Sequence, residues 1–239
     1  MTAGDFGERV AGVASLAEPQ RRALYRFVVS RDGAVSKDEA AAAMSMARSV
    51  AAFHLDRLVA DGLLTTEYRR LSGRQGPGAG RPAKLYRRAE GELSVSLPPR
   101  HYDLAARLLA AAVADSSRTD TPVAQALTRV AGERGRLLGE RARAAAGKRP
   151  SRRALLDATV AALEAQGYEP RRRGDDVVLA NCPFHALVDE QRDLVCGMNH
   201  DLLCGLAAAM GDDLLTTRLE PSDGTCCVRL AAHRPVSKD

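Results

Sequence analysis

Residues 36–64 read SKDEAAAAMSMARSVAAFHLDRLVADGLL, and this stretch decides the fold expected for the first part of the chain. Ser36 followed by Glu39 is a capping box, which predicts that a short helix begins there. A second helix is predicted over 47–61, and Gly62 is a natural residue to end it. The apolar residues of this second helix share one stripe: Ala51, Leu55, Leu58 and Val59. The stretch therefore predicts two helices, the second with a buried face and a free face.

The flanking sequence extends this pattern on both sides. Residues 18–30, EPQRRALYRFVVS, place apolar side chains at helical spacing and predict a preceding helix. Residues 63–68 and 84–88 are typical of two strands. The segment between them, SGRQGPGAGRPA, contains four glycines and two prolines, which exclude a helix and favour an extended hairpin tip.

Basic residues are concentrated in the strand pair. The formal net charge is +5, and residues 1–97 carry 15 Lys and Arg against 11 Asp and Glu. Residues 66–88 carry seven basic residues and one acid, Glu67. A hairpin with a basic tip that follows three helices predicts a winged helix-turn-helix that binds double-stranded DNA. The expected DNA contacts are Ser45, Arg48, Ser49 and Arg57 from the helices and Arg74, Arg81 and Lys84 from the wing.

Two segments of this region also carry a family resemblance. SVAAFHLDRLVADGLL at 49–64, followed by GRPAKLYR at 80–87, resembles the winged-helix domain of bacterial ArsR-like regulators. The resemblance covers about residues 18–88. It implies the same fold and the same DNA-binding role as the residue pattern does.

The length favours two domains, of about 90 and about 140 residues, and the composition favours a mainly α protein with small β elements (α+β). Aromatic residues make up 4% of the chain, so the cores are expected to form from small aliphatic side chains. We expect a winged helix-turn-helix over 1–97, a helical connecting and dimerisation region over 98–150, and a C-terminal α/β sensor domain over 151–239. No apolar run is long enough to span a bilayer and the N-terminus does not resemble a signal peptide, so a cytoplasmic protein without membrane partners is expected.

The middle region is predicted to form long helices over 102–114 and 122–146. Helices rich in Ala, Leu and Arg commonly pack against a second copy, and a palindromic operator requires two-fold pairing. We therefore expect a homodimer. An intrachain helical bundle is the alternative, because periodicity does not show which chain covers the face.

All five cysteines follow residue 180. Cys182 lies in NCPFH just after a predicted strand, and Cys196 and Cys204 lie on one face of a helix predicted over 190–210. Cys226 and Cys227 open a last predicted strand over 226–231, where alternation allows only one of them to face the helix. Thiolates bind iron–sulfur clusters and zinc, so a metal site is one interpretation. Burial of the cysteines as small apolar residues is the other.

The order NCPFH, LVCGMN and CCVRL behind an ArsR-like domain resembles repressors of iron–sulfur-cluster assembly operons and their actinobacterial relatives. The resemblance implies a [4Fe–4S] or [2Fe–2S] cluster that controls DNA affinity. It implies Cys182, Cys196 and either Cys226 or Cys227 as ligands. The fourth ligand stays open among His185, His200, Cys204 and an external group.

Together these patterns predict a homodimeric DNA-binding repressor whose cysteines hold an iron–sulfur cluster, with Cys182, His185, Cys196, Cys226 and Cys227 as candidate ligands. Zinc binding or thiol-redox sensing by the same residues is an alternative. Sensing of a small molecule in an apolar pocket between helices is another. An enzyme with Cys182 as nucleophile and His185 as base is a further alternative, but the sequence lacks other catalytic motifs and no enzymatic activity is expected.

Overall fold

The computed structural model describes residues 6–70, 82–211, 213–220 and 224–233. The chain divides into two compact units, Met1–Val95 and Ser96–Asp239. Each unit combines helices with a small antiparallel sheet, which confirms the expected mainly α class with small β elements. Within the described ranges, no helix combines the length and apolar character that crossing a membrane requires.

The first unit contains the predicted helices and strands, and two elements that the sequence did not predict, a helix and a two-residue strand, β1 (Val35–Ser36). That additional helix, α1, precedes the others. The elements are α1 (Phe6–Ser15), α2 (Pro19–Val29), β1 (Val35–Ser36), α3 (Lys37–Ala43), α4 (Arg48–Ala60), β2 (Leu64–Arg69) and β3 (Ala83–Arg88). The three strands form an antiparallel sheet in the order β1-β3-β2, so β3 is its central strand.

Local hydrogen bonds fix where α3 begins and where α4 ends. The Glu39 amide donates to Ser36 Oγ at 3.2 Å, and the Ser36 amide donates to Glu39 Oε2 at 2.7 Å, which confirms the capping box. Gly62 follows α4 with a φ of +74°, a conformation that glycine adopts without strain. The Leu63 amide then donates to the Leu58 carbonyl at 2.9 Å, which satisfies one of the last carbonyls of the helix.

Apolar side chains from the helices and the sheet form the core of the first unit. The inner face of α4 contributes Ala51, Leu55 and Leu58, all completely buried. Leu24 of α2 and Tyr86 of β3 pack in the same unit, at 0% and 2% exposure. Because this burial fixes one side of α4, the opposite side is held outward on a rigid helix.

The second unit contains five helices and a four-stranded antiparallel sheet among its described residues. The strand order is β4-β5-β7-β6. The elements are α5 (Tyr102–Thr119), α6 (Val123–Ala145), α7 (Arg152–Ala165), β4 (Pro170–Arg173), β5 (Asp176–Leu179), α8 (His185–Glu190), α9 (Arg192–Met210), β6 (Leu215–Leu219) and β7 (Val228–Ala232). The segments 98–150 and 151–239 share one hydrophobic core in this unit.

Two details of the second unit differ from the sequence-based expectation. The helix expected over 190–210 is α9, and the residues before it form a separate short helix, α8, that ends before Gln191. Cys226 and Cys227 precede β7 and are not part of it. Strand alternation therefore does not apply to this pair, and both side chains are buried, at 2% and 8% exposure.

Helices α6 and α9 pack closely because glycines lie where their backbones meet. A Cβ at Gly135 of α6 would overlap the backbone of Leu202, and a Cβ at Gly205 of α9 would overlap the backbone of Gly132. The buried face of α6, which includes Leu127 and Leu138, thus packs within the chain. This face therefore belongs to an intrachain helical bundle. The expected homodimer would have to form through other surfaces.

Candidate functional site

The outer face of α4 is the first candidate site. Ser49, Phe53 and Asp56 lie one helical turn apart along this face, and all three are exposed. Ala47 precedes the helix and has no side chain that can accept a hydrogen bond from its first turn. The first amide groups of α4 are therefore available to an external acceptor, and the positive end of the helix dipole favours an anion there.

Ser45 and Arg48 lie beside this N-terminal end of α4. Ser45 is exposed and has a left-handed backbone with a φ of +50° in the turn between α3 and α4. Arg48 is the first residue of α4, and its side chain is 77% exposed. Its Nε lies 3.3 Å from Oδ1 of Asp38, which is itself half exposed. Such a pair contributes little stability and can be exchanged for another anion.

Arg57 lies at the opposite end of α4, in its last turn. Its Nε donates to Asp61 Oδ2 at 2.9 Å. The Asp61 side chain is only 7% exposed and also lies 4.0 Å from Arg21. Arg57 is therefore engaged with a mostly buried carboxylate of its own unit.

Lys84 of β3 pairs with Asp56 on the outer face of α4. Its Nζ donates to Asp56 Oδ1 at 2.6 Å, and the Tyr86 hydroxyl donates to the same oxygen at 2.8 Å. Burial raises the pKa of Asp56, but the hydrogen bonds from Lys84 and Tyr86 outweigh it, and the pKa lies below its usual range. Burial and the bond to Asp56 raise the pKa of Tyr86. The three side chains connect the helix to the strand pair.

Further basic side chains lie on the strand pair or directly after β2. Arg69, Arg70, Arg87 and Arg88 are exposed. The remaining predicted wing contacts, Arg74 and Arg81, lie outside the described residues.

The second candidate site is a cluster of four cysteines, which we call the thiol cluster: Cys182, Cys196, Cys226 and Cys227. The side chains form a chain of hydrogen-bonding contacts, in which Cys226 contacts Cys182 and Cys227, and Cys227 also contacts Cys196. Three separate segments supply these residues: the turn after β5, the first turns of α9 and the residues before β7. The structure thus brings together all four cysteines that were predicted as ligands.

Two buried polar side chains, Tyr168 and Asn199, hold the thiol cluster on the side of the protein interior. The Tyr168 hydroxyl donates to Asn199 Oδ1, and Asn199 Nδ2 donates to Cys226 Sγ at 3.2 Å. Asn199 is completely buried and Tyr168 is 2% exposed. This arrangement uses Cys226 as an acceptor toward the protein interior, so its sulfur is the most enclosed of the four.

A cavity of about 480 Å³ lies on the other side of the thiol cluster. Cys182, Cys196 and Cys227 line it, whereas Cys226 is not among its lining residues. The cavity is also lined by two residues of α8 with ligating side chains, His185 and Asp189, and by two arginines, Arg100 and Arg192. Glu169 lines it as well, so three thiols, an imidazole and two carboxylates border one space.

The four thiols differ in how readily they ionise. Hydrogen bonding with Cys226 lowers the pKa of Cys182 and of Cys227. Burial, together with its bond to Cys227, raises the pKa of Cys196 to about 12. Bonds to Cys182 and Cys227, together with burial, raise the pKa of Cys226.

Within the described ranges, no set of three or more His, Cys, Asp or Glu side chains has the arrangement of an assembled metal site.

Cys204 and His200 have different neighbours although they share a helix face with Cys196. Cys204 Sγ lies 2.6 Å from Thr217 Oγ1 of β6 and 3.5 Å from His200 Nε2. His200 Nδ1 lies 3.8 Å from Asp201. Helical spacing places Cys196, His200 and Cys204 on one face of α9. Because α9 is long, Cys204 lies beside Thr217 of β6, away from the thiol cluster that contains Cys196.

Several residues of these sites were not identified from the sequence. Asp189 follows His185 by four residues, which is the spacing of neighbours on a helix face, and this signal could have identified it. Arg100 and Asn199 carry no comparable signal, because tertiary folding alone brings them to the cavity and the thiol cluster. Phe53 lies in the stretch 49–64 that carries the family resemblance, but only the structure shows that it is 66% exposed.

Comparison of the chain with protein-family models, with curated proteins and with solved structures finds no match.

Proposed function

We propose that this chain is a DNA-binding transcriptional repressor of the ArsR-like winged-helix type, and that its second unit senses a metal or redox signal. In this proposal the outer face of α4 enters the major groove and the β2–β3 strand pair is the wing. The close gathering of four cysteines from three segments beside one cavity is the observation that carries the sensing role. The proposal assigns binding and regulation to the chain and no catalysis.

Three features of the first unit support DNA binding. The inner face of α4 is completely buried, so the helix is held rigidly with its outer face free. The side chain of Ala47 cannot cap the N-terminal amides of α4, so these amides suit a phosphate. Basic side chains border the strand pair, and such groups supply the salt-dependent part of DNA affinity.

The donor set of the second unit suits an iron–sulfur cluster. Cysteine thiolates are its usual ligands, and Cys182, Cys196 and Cys227 all line the cavity. His185 and Asp189 border the same cavity, so either can supply a fourth ligand, while Cys226 supports the site through Asn199. A bound cluster would supply a redox-sensitive link. Because the three thiols belong to separate segments, their joint coordination would tie α9 to the strands around it.

Metal and DNA analysis of one preparation tests this proposal. Protein purified without air is expected to be brown, with iron and sulfide in similar amounts. It is expected to bind a duplex selected from a random pool, and its affinity is expected to change when the metal is removed. Colourless protein that contains zinc would favour the zinc alternative. Absence of both metals, with unchanged operator binding, would contradict metal sensing.

A groove between α5 and α6 favours a second candidate, the sensing of a small molecule. The groove has a volume of about 520 Å³, and its walls combine apolar and charged side chains. The apolar ones are Leu104, Leu108, Ala111, Val130 and Leu137. Normal regulation by a variant that lacks all five cysteines would favour this candidate. The same exposed helix surface is available to the proposed homodimer.

Arg48→Ala is expected to weaken binding to the selected duplex by about 1 to 3 kcal/mol, with a smaller loss on random duplexes, because an arginine at this end of α4 can contact a base. Fluorescence anisotropy with both duplexes measures the two losses. Arg26→Ala removes the same charge from an exposed position of α2 and is expected to change both affinities little and equally. Equal losses for Arg48→Ala on both duplexes would indicate a phosphate contact instead.

Lys84→Ala is expected to weaken binding to selected and random duplexes alike and to reduce the salt slope by about one, because it removes a phosphate contact. It also leaves the Asp56 carboxylate unpaired on the face that meets DNA. Asp56→Asn makes the opposite change, since it frees Lys84 and keeps an acceptor for Tyr86. It is expected to strengthen random binding and to steepen the salt slope. Unchanged slopes in both variants would restrict this pair to a structural role.

A further inference from the structure

Phe53 lies at the centre of the outer face of α4, between Ser49 one turn earlier and Asp56 one turn later. Its ring is 66% exposed, whereas the neighbouring residues His54 and Leu55 are buried. The phenyl ring meets the His54 imidazole edge to face, with centroids 5.3 Å apart. Phe53 therefore presents a large apolar surface from a rigid helix.

The groups next to Phe53 limit what this face can recognise. The Asp56 carboxylate accepts hydrogen bonds from Lys84 and Tyr86, so it is already engaged within the protein. Ser49 offers a hydroxyl at the N-terminal side, and Ala52 is half-buried beside it. Val50 and Arg57 also lie one turn from Phe53: Val50 adds a smaller apolar surface, and Arg57 donates to Asp61. Phe53 therefore provides most of the apolar surface in the middle of the face.

In the major groove, the 5-methyl group of thymine is the apolar group that a base pair presents. We propose that Phe53 contacts a thymine methyl group and so determines part of the sequence specificity. This inference rests on the proposed DNA-binding function, because it assigns a base to the outer face of α4. It predicts that the bound sequence contains a thymine whose methyl group contributes to affinity.

Replacement of thymine by deoxyuridine tests this contact directly, because it removes the methyl group and keeps the base pairing. The probe is a duplex that wild-type protein selects from a random pool, with each thymine replaced in turn. Wild type is expected to bind about fourfold more weakly when the contacted thymine is replaced, which corresponds to the loss of one buried methyl group. Fluorescence anisotropy of the full chain measures each affinity.

Phe53→Ala is expected to bind the thymine and deoxyuridine duplexes equally at that position, because the partner of the methyl group is absent. Phe53→Leu keeps an apolar side chain and is expected to retain part of the discrimination. Val13→Ala is the matched control, since Val13 is an apolar residue of a different helix, α1, and is 47% exposed. It is expected to retain the full discrimination. Thermal unfolding of each variant confirms that the exposed substitutions leave the fold intact.

The outcomes separate this inference from the function on which it rests. If wild type selects no duplex, the DNA-binding proposal and this inference both fail. If wild type binds a selected duplex and every deoxyuridine replacement is neutral, the inference alone is overturned. The same conclusion follows if Phe53→Ala discriminates like wild type, or if Phe53→Ala changes the oligomeric state and leaves the discrimination unchanged, because the ring would then cover a protein surface.

Discussion

Replacing Gly205 with alanine is expected to lower the thermal midpoint of the second unit by about 6 to 12 °C, from a loss of about 3 kcal/mol in its free energy of unfolding. A Cβ at this position of α9 would overlap the Gly132 carbonyl and approach the Arg136 amide to 2.9 Å. Both are backbone atoms of α6, which cannot rotate away as a side chain can. The two helices would have to separate, and the apolar contacts along them would weaken.

Gly197→Ala is the matched control for this prediction because it makes the same change in the same helix. A Cβ at Gly197 would meet no atom of the described residues within 4 Å. Alanine is favoured over glycine inside a helix by about 0.5 to 1 kcal/mol, so a small gain in stability is expected. Circular dichroism of both variants, with the metal content of each preparation measured, tests the pair. Equal midpoints would contradict the close α6–α9 contact.

Cys182→Ser and Cys196→Ser are each expected to remove nearly all bound metal from protein purified without air. The two residues lie on different segments and line the same cavity, so loss of either thiol opens the proposed site. Both variants are expected to be colourless and to bind the selected duplex with an affinity different from that of metal-loaded wild type. Iron, sulfide and zinc analysis, visible spectra and anisotropy measure these three changes.

Cys204→Ser is the matched control for the cysteine variants. Cys204 lies on the same helix as Cys196, but its sulfur contacts Thr217 and His200. This variant is expected to retain its colour and its metal. The sensing proposal would be wrong if the Cys182 and Cys196 variants kept their full metal content and bound DNA like wild type. The cysteines would then serve as packing residues of the second core.

The features that the sequence predicted best are those determined by neighbouring residues. Ser36 and Glu39 form the predicted capping box because both partners lie within one helical turn. Gly62 ends α4 as expected, since the conformation needed there is one that few other residues adopt readily. The strand pair after it was expected from two short strand-like segments and from the glycines and prolines between them, which disfavour a helix.

The features that the sequence did not predict depend on residues far apart in the chain. Lys84 and Asp56 are 28 positions apart, and their ion pair follows from the packing of β3 beside α4. Cys226 and Cys227 were assigned to a strand, but the strand begins at Val228, so both can turn inward. No local pattern indicates that Asn199 would join Tyr168 to Cys226. Periodicity identified the helices, but not which surfaces they cover.

The ion pairs of the first unit have a consequence for how the proposed repressor would search a genome. Arg48, Arg57 and Lys84 each have a carboxylate as a built-in counterion. On a duplex of arbitrary sequence, each basic side chain only exchanges its carboxylate partner for a phosphate. An operator offers base contacts in addition. Non-specific sites outnumber an operator by about 10⁶ to 10⁹. Internal counterions weaken the phosphate contacts at operator and arbitrary sites alike, so the ratio of the two affinities is left to the base contacts, and the protein spends less time at each arbitrary site.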